Sequence, residues 1–432
     1  MRKGDVRALE DSMELIGVTP DRTLELDGMP SGSRLFLLVK NALDHVKRGE
    51  ILEIVSTNPY VLDDLKGWCK LHQVTFLQAL DGGDHFRFFI RKLRDTTDGR
   101  PDWGHRIPLR GGRRFDTRDW FQGRLGEILE KAPAYFGFVP RGAAAETGIP
   151  DFDFELNKKD DVWSENLLDL YEQSKENQWN ASSDIPWDEL PELPDDVEWA
   201  VCQAMTFLAE NEYSALYIPA KFMPRIHPHY IEVVMYLSML ILDEARHIEA
   251  FIKRAMAGGG GLQFSSVLTE RSLNSLFIQE DYFKSSFLLH VLGEGTFLDL
   301  LHYIEEYAPD PVTRRIVSLA RVDEGRHVAY GIGHVRQMLQ KHPKMVHALL
   351  DAAEERNEYL KDMGSGENTH LMEALAILSG GGRSPEQLRV GFERVNRLKD
   401  MMNEHRIQRL LAIGLDLETA VKISTAHTPN FM

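Results

Sequence analysis

Two kinds of apolar spacing run along this chain. Residues 233–242 read Val-Val-Met-Tyr-Leu-Ser-Met-Leu-Ile-Leu, apolar nearly all round, and residues 287–301 are of the same kind. Such stretches predict helices buried on every side. Helix breakers separate them: Pro224-Arg225-Ile226-His227-Pro228, Gly258-Gly259-Gly260-Gly261 and Pro309-Asp310-Pro311. Proline there ends one helix and starts the next, and the glycine run is a flexible break. The pattern predicts two helical hairpins, one on each side of the glycines. Asp195 or Asp196 is expected to cap the first of these helices. A helical segment from about Glu270 is expected to continue into the second apolar stretch.

Near the N-terminus the period shortens. Residues 23–26, 51–56, 74–79 and 85–91 read as strands, 33–46 and 60–72 as helices, and Asp81-Gly82-Gly83 as a hairpin turn. The order is β-α-β-α-β-β. Further on, a helix is expected over 120–131, followed by an aromatic cluster at Tyr135, Phe136 and Phe138, and another helix over 162–178. Trp179 and Trp187 are expected to cover one end of the bundle or simply to pack there. Amphipathic helices over 347–362, 368–378 and 385–411 suit bundle extension or a subunit interface. The chain therefore divides into an α/β domain at 23–95, a linker and partly helical connector at 96–160, a helix bundle at 161–340 and a helical extension at 341–432. The fold class is an α+β N-terminal domain followed by an all-α bundle.

Composition narrows the setting. A hydrophobic content of 43% with 27% charged residues is that of an ordinary globular protein, and 432 residues suffice for two or three domains. A net charge of −17 disfavours nucleic acid or an anionic membrane surface as the main partner. No run reaches the length of a transmembrane helix, and Met1-Arg2-Lys3-Gly4-Asp5 lacks an apolar signal core. The two cysteines, Cys69 and Cys202, exclude a disulfide framework or a Cys-x-x-Cys metal knuckle. The expected compartment is the cytoplasm. Arg106, Arg110, Arg113 and Arg114 form a short basic stretch that fits a solvated linker better than a phosphate site, since no Walker or Rossmann pattern surrounds it.

The chemistry sits in Asp243-Glu244-Ala245-Arg246-His247 and its near copy, Asp323-Glu324-Gly325-Arg326-His327. In each, Glu and His are three apart and share one helix face. Each has a lone Glu upstream: Glu212 to Glu244 spans 244 − 212 = 32 residues, and Glu294 to Glu324 spans 324 − 294 = 30. Each Glu then lies about 15 residues, roughly 22 Å, from its turn, so the two Glu of a hairpin sit level. Two hairpins face to face bring four Glu and two His into one core. Four carboxylates carry roughly −4 and two divalent ions roughly +4, which makes a filled site near neutral. Glu210 competes with Glu212, but Asn-Glu-Tyr-Ser-Ala-Leu around Glu212 aligns with Gly-Glu-Gly-Thr-Phe-Leu around Glu294. A His-Glu-x-x-His zinc protease is excluded, because Asp243 and Asp323 stand where that motif needs its first His.

With these two Glu-x-x-His motifs and their lone Glu, residues 160–340 resemble the ferritin-like di-iron superfamily. The resemblance is to its oxygen-activating branch, with the ribonucleotide reductase small subunit, bacterial multicomponent monooxygenases and arylamine N-oxygenases. It implies metal ligands Glu212, Glu244, His247, Glu294, Glu324 and His327, with Glu244 and Glu324 bridging and one His on each metal. It also implies that Asp243 and Asp323 hold ligand histidines through their second ring nitrogen. Arg246 and Arg326 are expected to pair with carboxylates of neighbouring helices. Two departures narrow the branch. Phe251 stands where the reductase subunit stores a radical on Tyr, and Ala320 stands where the N-oxygenases carry an extra His. His290, one turn before Glu294, is an added ligand, a support behind the metals or a core His. The resemblance implies two iron ions, with manganese or a mixed pair also compatible. The implied reaction is activation of O2 against a small organic substrate by hydroxylation, N-oxygenation or desaturation. A separate ferredoxin or reductase would supply electrons, since no flavin, nicotinamide or iron–sulfur motif is present, and the assembly is expected to be a homodimer. The rival expectations are a ferroxidase or metal-storage protein and a non-enzymatic adaptor with a structural metal site.

The N-terminal domain resembles the TusA and SirA sulfur-carrier family. Leu24-Glu25-Leu26-Asp27-Gly28, Gly49-Glu50 and Gly67-Trp68-Cys69 carry the likeness. The family's nucleophilic Cys, placed just before a Pro, falls at Met29 when matched on Pro30 and at Gly32 when counted back from Gly49. Neither residue can hold a persulfide. The domain is therefore expected to serve docking, dimer contact or stability, with Cys69 packed rather than reactive.

Overall fold

The computed structural model describes residues 17–26, 28, 32–72, 74–93, 116–120, 127–134, 137–143, 152, 154, 156, 158–360 and 368–426. Met29, Pro30, Tyr135, Phe136 and the basic stretch from Arg106 to Arg114 lie outside these residues. The chain forms two compact units, Met1–Pro108 with Tyr135–Asp151, and Leu109–Ala134 with Phe152–Met432.

In the first unit, β1 (Arg22–Glu25), α1 (Ser33–Asp44), β2 (Ile51–Ser56), α2 (Val61–Leu71), β3 (Val74–Asp81) and β4 (Phe86–Lys92) follow the predicted order. The sheet runs β1-β2-β4-β3, with β1 parallel to β2 and the other pairs antiparallel. Alternate strand residues Leu52, Ile54, Phe88 and Ile90 are buried against Leu35 and Val39 of α1 and Leu65 of α2, as the period of two requires. The hairpin closes where expected: Gly83, at φ 85°, donates its N–H to Asp81 Oδ1 at 2.9 Å. Cys69 is packed in this core, and burial pushes its thiol up to about 12. That removes thiolate chemistry near neutral pH.

The second unit is helical: α3 (Thr117–Trp120), α4 (Leu167–Glu176), α5 (Asp195–Phe222), α6 (Ile231–Ala257), α7 (Val267–Phe277), α8 (Tyr282–Ser286), a π-helical turn (Phe287–Gly293), α9 (Glu294–Glu306), α10 (Pro311–Lys341), α11 (Val346–Leu360), α12 (Thr369–Gly380), α13 (Pro385–Ala412) and α14 (Leu417–Ala426). Two hairpins, α5/α6 and α9/α10, make a four-helix bundle. The first turns through a 3-10 segment, Met223–Arg225. The second turns at Asp310, whose side chain accepts the Thr313 N–H at 2.7 Å while Pro311 takes the first helical position. α12 and α13 are not peripheral. Leu371, Leu375, Val395 and Leu398 share one buried core with Val201 and Met205 of α5 and Leu300 of α9.

Three expectations are corrected. Residues 127–131 are not helical; Lys131 makes a β-bridge with Lys158. Their backbone groups are claimed elsewhere: Leu129 N–H donates to His229 Nε2, and Tyr230 Oη donates to Glu130 O. Pro133 also disfavours helix just before it. Secondly, α5 starts at Asp195 with Pro194 in the capping position and no side-chain cap, so Asp195 and Asp196 complement the helix dipole from the first turn instead. Thirdly, the segment from Glu270 does not run unbroken to Glu294. It stops after Phe277 and restarts at Tyr282, with Asp281 accepting the Lys284 N–H at 2.9 Å.

One buried cation ties the hairpin ends together. Arg254 is fully buried and donates to Glu198 Oε1 and Oε2 at 2.9 and 3.0 Å, Asp310 Oδ2 at 2.9 Å and Thr313 Oγ1 at 2.8 Å. This joins the start of α5, the end of α6 and the start of α10. The glycine run passes against the same group. A Cβ on Gly258 would fall 1.8 Å from Glu198 Oε1, so the glycines permit close approach as well as a turn. Arg254→Met leaves Glu198 and Asp310 without their cation, and is expected to cost about 3–5 kcal/mol of unfolding free energy in urea titration.

Candidate metal centre

Glu212 on α5, Glu244 and His247 on α6, Glu294 on α9, and Glu324 and His327 on α10 converge in the bundle core, all buried. They form two overlapping groups: Glu212, Glu244, His247 and Glu324, and Glu244, Glu294, Glu324 and His327, each with donor atoms within 4.8 Å of one another. Glu244 and Glu324 belong to both. His247 Nδ1 lies 3.6 Å from Glu212 Oε1, 3.4 Å from Glu244 Oε2 and 3.4 Å from Glu324 Oε1. His327 Nδ1 lies 2.9 Å from Glu244 Oε1 and 3.4 Å from Glu324 Oε2.

These inward atoms form no proper hydrogen bonds. Glu212 Oε1, Glu294 Oε1, both oxygens of Glu244 and Glu324, and Nδ1 of both histidines are buried without a hydrogen-bond partner. Buried polar atoms are otherwise nearly always paired. Eight orphaned acceptor or ligand atoms turned toward one point, from four carboxylates and two imidazoles, fit a pair of divalent ions with O/N preference. The electrostatics agree. Burial, then the charges of Glu244 and Glu324, hold the Glu212 carboxyl well above the ordinary range. Burial works against protonated His247 and His327, but Asp323 for the one and Glu324 and Glu244 for the other outweigh it and raise both imidazoles.

Behind the ligands is a crossed ion network. His247 Nε2 lies 3.1 Å from Asp323 Oδ2, and His327 Nε2 lies 3.5 Å from Asp243 Oδ2. Each Asp thus faces the histidine of the other motif. Arg246 Nη2 reaches Asp243 Oδ1 at 2.6 Å and Asp323 Oδ2 at 2.7 Å, and Arg326 Nη2 bonds Asp323 Oδ1 and lies 3.2 Å from Asp243 Oδ2. Two aspartates and two arginines therefore neutralise one another. Two neighbours with no site role assigned from the sequence complete the set. Gln178 accepts from Arg246 at 2.6 Å and donates to Asp243 at 3.1 Å. Trp179 Nε1 donates to Asp323 Oδ2 at 2.8 Å, with Arg246 stacked 4.6 Å over its ring. The lone signal for them was a Trp-bearing segment just before the first bundle helix.

His290 is not among the converging ligand atoms. Its Nδ1 lies 2.7 Å from Glu294 Oε2, so it steadies that carboxylate from behind. The two residues are four apart and share a helix face, and His290 lies within the π-helical turn that precedes Glu294. Gly331 admits the bulge, since a Cβ there would fall 2.4 Å from His290 Cβ. Phe251 and Ala320 are both buried, and the Phe251 ring lies 6.3 Å from that of His247. Glu210 does not converge with the others; its carboxylate bonds Ser265 Oγ away from the cluster. A cavity of about 30 Å³ touches Glu212 and Glu294, walled by Asn211, Leu276, Leu289 and Phe297.

Nearby, His334 is buried between Ser286 Oγ at 2.9 Å and Asp161 O at 3.0 Å. Burial pushes its imidazolium down to about 3. The unfolded chain takes up this proton near pH 6.5 and the folded chain does not. The stability it contributes is complete above about 6.5 and is lost as pH falls toward 3, at up to about 1.4 kcal/mol per pH unit. His334→Gln is expected to flatten that acid slope relative to wild type in unfolding titrations between pH 7 and 4.

Comparisons with known proteins address both units. Residues 34–92 match the family model of the sulfurtransferase TusA. The N-terminal unit carries a TusA domain. Gly32, one of the two places where its nucleophilic Cys was sought, has φ 132°, a conformation suited to glycine. Among solved structures, a variant of the R2-like ligand-binding oxidase with an anaerobically reconstituted Mn/Fe cofactor aligns at 17% identity and TM-score 0.45, covering 58% of this chain and 94% of its own. Another variant, with an aerobically reconstituted Fe/Fe cofactor, aligns at 18% identity and TM-score 0.42, covering 58% and 93%. No curated relative matches the chain. Among the described residues, no helix is long and apolar enough to cross a membrane.

Proposed function

We propose that the helical unit is a dinuclear metal oxidoreductase that uses O2 to oxidise a small organic substrate. One observation carries this reading: two donor groups share Glu244 and Glu324, and their buried ligand atoms have no other partner. Glu212 and His247 would hold one ion, Glu294 and His327 the other, with Glu244 and Glu324 between them. When bound, a pair of iron ions or a mixed Mn/Fe pair supplies electrons for reduction of dioxygen. The chain's own part is geometric and electrostatic. Asp323 accepts from His247 Nε2 and so leaves Nδ1 as the ligand atom. His290 fixes one oxygen of Glu294 and leaves the other free. Leu276, Leu289 and Phe297 give the cavity at Glu212 and Glu294 an apolar wall. A separate reductase or ferredoxin supplies electrons.

The cavity's small size favours a second reading, in which O2 is consumed with iron alone as a ferroxidase. Anaerobic loading of the full chain with iron, followed by an oxygen pulse, tests both. Two irons per chain and rapid O2 uptake, with a zinc-loaded control inert, are expected. Continued iron oxidation far beyond two per chain would favour the ferroxidase. Absence of stoichiometric metal, or no O2 uptake by the iron-loaded protein, would overturn the redox reading.

A further inference from the structure

Three arginines of α11 and α13 are buried near one another, with one acidic partner among the described residues. Arg356 of α11 and Arg406 of α13 are 6% and 5% exposed, and the Arg409 side chain 12%. Arg356 donates to Ser272 Oγ, and Arg406 lies 3.4 Å from Ser424 Oγ. Both partners are neutral hydroxyls. Arg409 Nη1 stands 3.6 Å from Asp299 Oδ2, while the other oxygen of Asp299 is 2.6 Å from His405 Nδ1. Arg356 Nε, Arg406 Nε, and Arg409 Nε and Nη2 are buried with no hydrogen-bond partner. Among the described residues, three guanidinium groups face one shared carboxylate, which leaves 3 − 1 = 2 positive charges. Buried charge of this kind is strongly unfavourable unless an anion joins it. Burial pushes the Arg356 and Arg406 guanidinium groups down to about 10, and the Arg409 and Arg356 charges add to this at Arg406.

Backbone geometry has made room here. A Cβ on Gly295 would lie 2.4 Å from Arg409 Nε and 2.9 Å from its Cζ, so glycine lets the guanidinium rest on the α9 backbone. Gly295 directly follows Glu294. On α7, Ser272 precedes Leu276 by four residues and shares its face, and Leu276 lines the cavity at Glu212 and Glu294. Arg356 thus packs against α7, which carries Leu276, and Arg409 against α9, which carries Glu294.

We propose that Arg356, Arg406 and Arg409 bind a small anion, a carboxylate or phosphate group, in the interior between α7, α9, α11 and α13. Guanidinium forks match the planar oxygens of both groups. The site is independent of metal binding and of the oxidase reading.

The test uses the full metal-free chain, by isothermal titration calorimetry and thermal unfolding at constant ionic strength. Inorganic phosphate is one probe; acetate, butyrate and hexanoate form the other series. Saturable one-site binding, with Tm rising with the logarithm of probe concentration, is expected. Phosphate binding best identifies a free phosphate site. Affinity that grows with carboxylate chain length identifies the headgroup site of an organic acid. Arg356→Met and Arg406→Met are expected to weaken binding about 10- to 100-fold. Because each variant removes an uncompensated charge, it should hold or raise Tm without anion. No saturable response in wild type to either probe would overturn the proposal. So would variants with lowered Tm and an unchanged anion response, since that is the behaviour of purely structural arginines. The wild-type titration decides the matter even if a variant fails to fold.

Discussion

Replacing Glu324 with Ala is expected to remove both metal ions at once, whereas replacing Glu212 or Glu294 removes one. The asymmetry follows from membership. Glu244 and Glu324 belong to both donor groups, Glu212 to the first only and Glu294 to the second only. Metal analysis after dialysis against a weak chelator should read about two ions per chain for wild type, about one for Glu212→Ala and Glu294→Ala, and less than one for Glu324→Ala or Glu244→Ala. Each lost ligand should weaken its ion by on the order of a hundredfold or more, since even an outer support is worth 10- to 100-fold. Metal-free stability should move the other way. Burial and the neighbouring Glu244 and Glu324 charges already penalise the Glu212 carboxylate, so Glu212→Ala relieves repulsion. The metal-free variant should be as stable as metal-free wild type or more so, while losing part of the stabilisation that added metal confers. Equal metal content in wild type and Glu324→Ala would remove the shared-ligand geometry from consideration.

The six converging residues stood out in the sequence because their signal is local. A Glu and a His three apart share a helix face whatever the rest of the chain does, and the prolines at 224, 228, 309 and 311 set the hairpin lengths that bring the pairs level. The N-terminal order was legible for the same reason, through period-two strands and the Asp81-Gly82-Gly83 turn. What escaped depends on contacts between distant segments. Residues 127–131 carry a helix-compatible pattern, but His229 and Tyr230, about a hundred positions on, take their backbone groups. The π-turn before Glu294 depends on Gly331 of another helix giving it space. The buried arginines of α11 and α13 read as ordinary charges of amphipathic helices, and only packing reveals that their partners are two hydroxyls and a shared carboxylate.

Asp323→Asn should harm the protein more than Asp243→Asn, although the two residues occupy equivalent places in their motifs. Asp323 takes hydrogen bonds from Trp179 Nε1, Arg246, Arg326 and His247 Nε2. Asp243 takes them from Gln178, Arg246 and Arg326, and its histidine, His327, is farther away at 3.5 Å. Both carboxylates lie deep in the core, where burial opposes their charge, yet both are held below the usual carboxylate range, by His247 and the two arginines at Asp323 and by His327 and Arg246 at Asp243. Removing either charge leaves two buried arginines with one counter-ion, a defect of about 3–5 kcal/mol. At Asp323 a second loss is added. An amide can present N–H to His247 Nε2, which then favours the other tautomer and places a proton on Nδ1, the atom turned toward Glu212, Glu244 and Glu324. A protonated Nδ1 cannot ligate a metal, so affinity at that position should fall about 10- to 100-fold. Asp243→Asn should show the stability loss with a smaller change in affinity. Unfolding titrations of the metal-free proteins read the first effect, and competitive metal titrations of the folded proteins read the second. Equal affinity losses in the two variants would mean that the 3.1 Å and 3.5 Å contacts are equivalent in solution. Unchanged affinity in Asp323→Asn would mean that His247 needs no outer partner to present Nδ1.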